Sequence, residues 1–196
     1  MSQIAFGQLF TEFVDPVIWL VTSAHGGDRG GLVATFVANA SLVPDEPRIA
    51  IGIAKQHFTW RLIDRSRAFA LHLVDQTRVD WVRRFGLQSG REVDKFVGLN
   101  PAVGGTGVPL LTGAVLWSEC LVEAALDTGD RSIFLGRAVR CGQGETGRPL
   151  TVSALSGALD ESDRRRMQEL LDRDLGIDAA AIRAWRTTQS GRDDAP

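Results

Sequence analysis

Thr35, Asn39, Ser41, Lys55 and Thr59 are polar residues set among mostly apolar neighbours between positions 35 and 59. Together they offer hydroxyls, an amide and one cation, the donor set that an anionic ligand needs. An even separation puts Thr35 and Asn39 on one face of a strand that extends into Ser41. Lys55 ends the next strand, and Thr59 lies where a helix begins, so helix N–H groups and their partial positive charge add to the lysine. The segment Lys55-Gln56-His57-Phe58-Thr59 therefore reads as a corner suited to a phosphate. A plainer reading of the same residues is a solvated strand-end lysine and a helix-capping threonine, and residue types alone leave both open.

Other chemistries fail on spacing. No Gly-x-Gly-x-x-Gly follows a strand, and Gly104-Gly105-Thr106-Gly107 lies in a loop without βαβ context. His25, His57 and His72 are scattered, and Cys120 and Cys141 are far apart, so no metal site is expected. No Gly-x-Ser-x-Gly elbow exists, and Cys120 sits in an apolar strand pattern that suits a structural thiol. A formal charge of −2 with dispersed basic residues argues against nucleic acid, and Arg164-Arg165-Arg166 reads as a solvated helix face. Two cysteines, no basic leader and no apolar run of about 18 residues point to a cytoplasmic protein without a membrane partner.

The elements that must position the polar set follow from periodicity. A short helix is expected over Gln3–Phe13, then strands over Val17–Thr22 and Leu32–Ala38 joined by the glycine-rich turn His25–Gly31. A bend at Leu42–Glu46 leads to a strand at Arg48–Ala54 and a helix from His57 to Arg65. Phe69–Val74 is a strand, and Asp75 is a candidate cap for a helix carrying Val79, Val82 and Phe85. Gly98–Gly113 lacks periodicity and reads as a long functional connection. Ala114–Ala125 and Ile133–Val139 form a hairpin around Asp127–Asp130, with Glu119 and Glu123 on the face opposite Cys120, and Pro149–Val152 is a candidate edge strand. Beyond Asp160 the pattern is helical, with Gly176 at a C-cap, Asp178 capping a last helix through Ile182 and Trp185, and a polar, disordered tail from Ser190. Short antiparallel connections make the fold mainly β, a Greek-key-like split barrel with helices at its edge. The expected layout is a barrel over residues 1–153, a helical extension over 154–190 and a tail over 191–196.

Gly31-Leu32-Val33-Ala34-Thr35, Ser41 followed by Pro44 and Pro47, Phe69–Val74, Phe85, Asp94-Lys95-Phe96, Gly107–Ala114 and Gly129-Asp130-Arg131 occur in an order that resembles the flavin reductase-like FMN-binding split-barrel family. The resemblance covers roughly Pro16 to Leu150. It implies a homodimer that binds FMN or FAD and reduces it with NADH or NADPH, without a Rossmann domain. By position, Thr35, Phe36, Val37, Asn39, Ala40 and Ser41 resemble the family's wall against the flavin. Lys55 matches its basic phosphate ligand, with Gln56, His57 and Thr59 alongside. Phe85, Lys95 and Phe96 resemble the segment that closes over the ring, with Asp94 and Arg131 on the nicotinamide side.

Two departures stand out. Many members carry Gly-Asp-His where this chain has Gly129-Asp130-Arg131, and a guanidinium cannot shuttle protons at neutral pH. The family's Pro-Pro is opened into Pro44-Asp45-Glu46-Pro47. The implied activity is hydride transfer from reduced nicotinamide to flavin, with no side chain assigned as acid or base and a flavin-dependent monooxygenase as a possible recipient of reduced flavin. The alternative is a flavin-binding electron carrier without nicotinamide oxidase activity; a heme-handling or pyridoxamine phosphate oxidase-like barrel fits the Asp94-Lys95-Phe96 element less well.

Overall fold

A computed structural model describes residues 13–144 and 147–193, with backbone alone at 191–193. The helix expected over Gln3–Phe13 falls, up to residue 12, outside the described residues. The glycine-rich turn is tighter than its composition suggests. Only Gly26 and Gly27 turn, with φ of 62° and 90°, and they join β1 (Trp19–His25) to β2 (Asp28–Ala34) in register from His25–Asp28 to Trp19–Ala34. Two consecutive positive φ angles are what a two-residue hairpin with right-handed strand twist demands.

The expected strand Leu32–Ala38 is broken in two. After Ala34 the chain turns through Thr35 and Phe36 into β3 (Val37–Asn39), which pairs with β4 (Arg48–Ala54) rather than with β1. β5 (Ala68–Leu73), β8 (Leu116–Asp127) and β9 (Arg131–Gln143) complete a seven-stranded antiparallel sheet in the order β2-β1-β5-β8-β9-β4-β3. β2 and β3 are thus opposite edges, yet two residues join them, a reach of about 11 Å at most. The sheet must curl until its edges nearly meet, which makes it a barrel split at that seam. The break also puts Thr35 and Asn39 on different segments, so the shared face inferred from their even spacing does not exist.

The barrel interior holds Val21, Leu32, Ile51, Ile53, Phe69, Leu71, Cys120 and Phe134 with Ile63 from α1 (Phe58–Ser66). A second apolar cluster lies outside it, where α2 (Val79–Gly86) and α3 (Val152–Ala158) bring Trp81, Val82, Phe85 and Leu155 against Ile18, Leu20 and Val74. Asp75 caps a turn through Thr77 N, and Arg78 is the N-cap of α2. Pro149–Val152 makes isolated bridges, Asp75 with Pro149 and Val17 with Thr151, before Thr151 Oγ1 caps α3 by accepting from Ala154 N.

The long connection folds down as packed structure. β6 (Ala102–Val103) and β7 (Pro109–Leu110) pair, and Val108, Leu110 and Leu111 are buried. Glu119 explains why. Glu119 pairs across with Ala70 on the outer face of the sheet, and the connection covers it: it is fully buried and accepts from Thr106 N at 2.9 Å and Thr106 Oγ1 at 3.0 Å. The face expected for Glu119, opposite Cys120, is the one found, and the long connection rather than solvent covers it. Its neighbour Cys120 has its thiol pushed up to about 11 by burial, as suits an inert thiol.

The expected break at Gly176 is absent. α4 (Glu161–Asp193) runs through it, and Asp160 caps the helix by accepting from Asp163 N at 2.9 Å. Asp178 is therefore interior to a helix rather than the cap of a new one. The helix also passes Ser190, where the polar tail was expected; residues 194–196 lie outside the described residues. No helix among the described residues is long and apolar enough to cross a membrane.

Candidate functional site

A cavity of about 400 Å³ opens where the N-terminal turn of α1 faces β2. Its floor is Gly31, Leu32 and Val33 of β2. One side is Gln56, His57, Phe58 and Thr59, the opposite side runs from Phe85 to Glu92 with Lys95, and α4 crosses the mouth. That volume falls within the range of small-molecule sites.

His57 is the N-cap of α1, with extended backbone and no side-chain capping bond. The first-turn amides of α1 thus meet the cavity without a side-chain acceptor, which is the arrangement that favours an anion. Lys95 and Arg91 line the same space, together with Arg166 and Arg173 of α4, against the carboxylates Glu92 and Asp174. Burial lowers the His57 pKa, against an opposing pull from Asp174. Gln56 makes the most specific demand. Its backbone carbonyl accepts from Arg91 at 2.8 Å, while both side-chain atoms, Oε1 and Nε2, are buried without a partner. A donor and an acceptor left unpaired side by side in a cavity wall match a ligand edge with the complementary pair.

Lys95 fastens the wall. It is 6% exposed, and its Nζ donates to Gly31 O at 3.0 Å and Phe85 O at 2.7 Å, tying β2 to the end of α2. Burial lowers its pKa to about 8. The flanking residues serve this fastening. Asp94 pairs with Arg29 at 2.6 Å and accepts from Phe96 N at 3.0 Å, while Phe96 lies edge-on to Phe85 with centroids 5.2 Å apart. Phe96 is buried behind Phe85 and does not line the cavity; Asp94 is likewise engaged on the outer side.

Of the residues singled out in the sequence, Gln56, His57, Thr59, Phe85 and Lys95 come together around this cavity. The others do not. Thr35, Phe36, Val37, Asn39, Ala40 and Ser41 form the seam and the β3 edge. There Phe36 covers Gly52, so closely that a Cβ on Gly52 would stand 1.8 Å from its ring, and Asn39 and Ser41 close a local turn. Lys55 points away, its Nζ held by Asp127 at 2.5 Å in the β8–β9 turn. Arg131 is held by Asp130 and by Asp178 of α4 at 2.9 Å. Sequence reasoning missed Arg91, Leu170, Arg173, Asp174 and Ile177. Residues 160–178 carry a helical period, but nothing in the sequence says where that helix lies.

The flavin reductase like domain model matches residues 10–154. The chain belongs to that family. Among curated relatives, the high molecular weight rubredoxin of Moorella thermoacetica is 31% identical over 68% of this chain and 58% of its own length. The ferric-chelate reductase (NAD(P)H) of Archaeoglobus fulgidus is 32% identical over 62% of this chain and 72% of its own. The reductase subunit of a flavin-dependent monooxygenase from Rhodococcus jostii is 28% identical over 68% and 66%. Of solved structures, an FMN-binding protein from Thermus thermophilus shares 29% identity at a TM-score of 0.64, over 73% of this chain and 81% of that one. The NADH:FAD oxidoreductase of Streptomyces globisporus shares the fold, with a TM-score of 0.67 and 22% identity over 76% and 91%. The expected split barrel and family are both found, and the expected order of motifs lies inside the matched region.

Proposed function

We propose that this chain is an NAD(P)H:flavin oxidoreductase whose flavin occupies the cavity beside α1. The observation that carries the reading is the unpaired amide of Gln56 in a cavity that also contains an uncapped helix N-terminus. A flavin nucleotide presents a phosphate and, at its pyrimidine edge, alternating donors and acceptors. The α1 amides with Arg91 suit the phosphate, Gln56 suits a donor–acceptor edge, and Leu32, Val33, Phe58 and Phe85 supply an apolar surface for a flat ring. When bound, the flavin accepts a hydride from the reduced nicotinamide. The residues of the chain bind, orient and shield it, and none is needed as an acid or base.

The family supports this activity class, and the ferric-chelate reductase and monooxygenase subunit are the relatives that point to a nicotinamide donor and to a monooxygenase as recipient of reduced flavin. A homodimer is part of the same reading. Phe36, Leu42 and Val43 beside β3, with Leu126 and Val139 on β8 and β9, are exposed apolar side chains suited to a second copy. The test is nucleotide consumption by the purified protein with NADH or NADPH, with and without FMN or FAD, together with the visible spectrum. Flavin-dependent consumption is expected; none with any of the four combinations would overturn the proposal.

The electron carrier is the second reading, and a specific observation keeps it. Arg131, on the expected nicotinamide side, is already bound by Asp130 and Asp178. Protein that stays yellow through gel filtration yet consumes neither nucleotide decides for it.

A further inference from the structure

α4 lies outside the matched family region and bridges the cavity. Its less exposed residues, Asp163, Met167, Leu170, Asp174, Asp178, Ile182 and Trp185, recur every three or four positions and so form one face along the helix. Asp163 pairs with Arg83 of α2, and Asp178 pairs with Arg131 of β9. Fifteen residues of helix separate them, a span of about 22 Å. Between these fastenings Leu170, Asp174 and Ile177 line the cavity. Beyond Asp178, Trp185 sits on Gly129, leaving no room for a side chain there.

The attachment is weak for so long a helix. No described residue of α4 is fully buried, and Leu171, Leu175 and Ile177 are about half exposed. Partly exposed ion pairs contribute little each. The inner face instead sets carboxylates on cations of the barrel side, Asp163 on Arg83 and Asp178 on Arg131, while Asp174 pairs with Arg173 of α4 itself at 2.8 Å. An incoming nucleotide phosphate competes with Asp178 for Arg131.

We propose that α4 is a removable strap over the nucleotide site, whose Asp178 occupies Arg131 until a nucleotide phosphate displaces it. This deepens the flavin reading, since it assigns a gate to the same cavity. The strap closes by Arg83–Asp163 and Arg131–Asp178 and opens at those contacts, so binding and release of flavin or nicotinamide require it to lift.

The test uses the full chain. Asp163→Asn with Asp178→Asn should speed amide exchange at Gln56–Thr59 and along 163–178 at least about fivefold without ligand, with the exchange of β5 and β8 unchanged. Equal exchange at Gln56–Thr59 in variant and wild type would overturn the strap. Leu170→Trp should fill the cavity from the α4 side and weaken FMN binding about tenfold or more at an unchanged melting temperature, whereas wild-type affinity in that variant would place α4 off the site. If exchange responds as expected but wild-type protein binds neither FMN nor FAD, the strap stands and the flavin reading falls.

Discussion

The Arg131 guanidinium donates to the Asp178 carboxylate at 2.9 Å, joining the start of β9 to the middle of the C-terminal helix. The residue that departs from the family's Gly-Asp-His pattern is thereby paired with a segment that the family match does not include. The pairing predicts opposite effects from its two partners. Arg131→Ala should raise the Michaelis constant for NADH or NADPH, because a cation for nucleotide phosphate is lost. Asp178→Asn should lower that constant several-fold by freeing Arg131, and should have no effect in the Arg131→Ala background. Additive effects in the double variant would show that the two residues act separately.

Gln56 should separate binding from stability. Gln56→Leu removes a buried donor and acceptor that have no partner in the protein, so the unliganded fold should hold or gain about 1 kcal/mol in urea denaturation. Flavin affinity should fall about tenfold in a fluorescence titration of the same variant. A loss of stability with unchanged affinity would assign Gln56 to the scaffold.

Lys55 is expected to matter less than a phosphate ligand would. Asp127 holds its ammonium, and this pairing keeps the Asp127 carboxyl below its ordinary range. Lys55→Met should weaken FMN binding by less than about threefold in the same titration. A loss of tenfold or more, the magnitude of one charge-assisted contact, would return Lys55 to the site.

The split barrel was legible because its strands carry local signals: paired glycines at 26 and 27, apolar runs at Ile49–Ala54 and Phe69–Val74, and a turn at Asp127–Asp130. The site was legible where the chain itself makes a corner, at Gln56, His57 and Thr59, since strand, cap and helix are neighbours in sequence. It was not legible where a side chain chooses between partners distant in sequence. Lys55 and Arg131 read as ligand-binding cations, but Asp127 and Asp178 satisfy them, and nothing local encodes that choice. The break at Thr35–Phe36 was hidden because both flanking segments have strand character; it exists to close the barrel. Gly176 looked like a helix stop, yet a 33-residue helix absorbs one glycine at a cost of about 1 kcal/mol.

His72 should make the fold acid-sensitive above the range where carboxylates titrate. It is fully buried, its Nδ1 lies 3.3 Å from Leu20 O, and its Nε2 accepts from Leu111 N at 3.1 Å, which leaves Nδ1–H as the donor. Burial lowers its pKa to about 4. The unfolded chain takes up the proton first, near pH 6.5, so the stabilisation present above that pH is lost as pH falls towards 4. The full loss is about 3 kcal/mol at 1.36 kcal/mol per pKa unit. His57, also lowered by burial, acts in the same direction. Urea denaturation at pH 7 and pH 4.5 should therefore show a steep loss that is smaller in His72→Gln; an equal slope in both proteins would exclude His72 as its source.

Lys95 should act in the opposite pH range. Its folded pKa of about 8 lies below the ordinary 10.5, so between these values the unfolded chain holds a proton that the folded chain has released. Stability should then rise with pH from 8, until Cys120, whose thiol is pushed up to about 11, opposes it above pH 9. Lys95→Met removes the rise. The same substitution strands the carbonyls of Gly31 and Phe85, a cost of about 1 to 3 kcal/mol each, partly offset because a buried ammonium no longer has to be desolvated. Since those carbonyls belong to the cavity floor and to the end of α2, flavin affinity should fall with stability. Denaturation curves at pH 7.5 and 8.8, paired with an FMN titration, check both. A Lys95→Met protein that keeps the wild-type rise between those pH values would show that the ammonium is not the group being titrated.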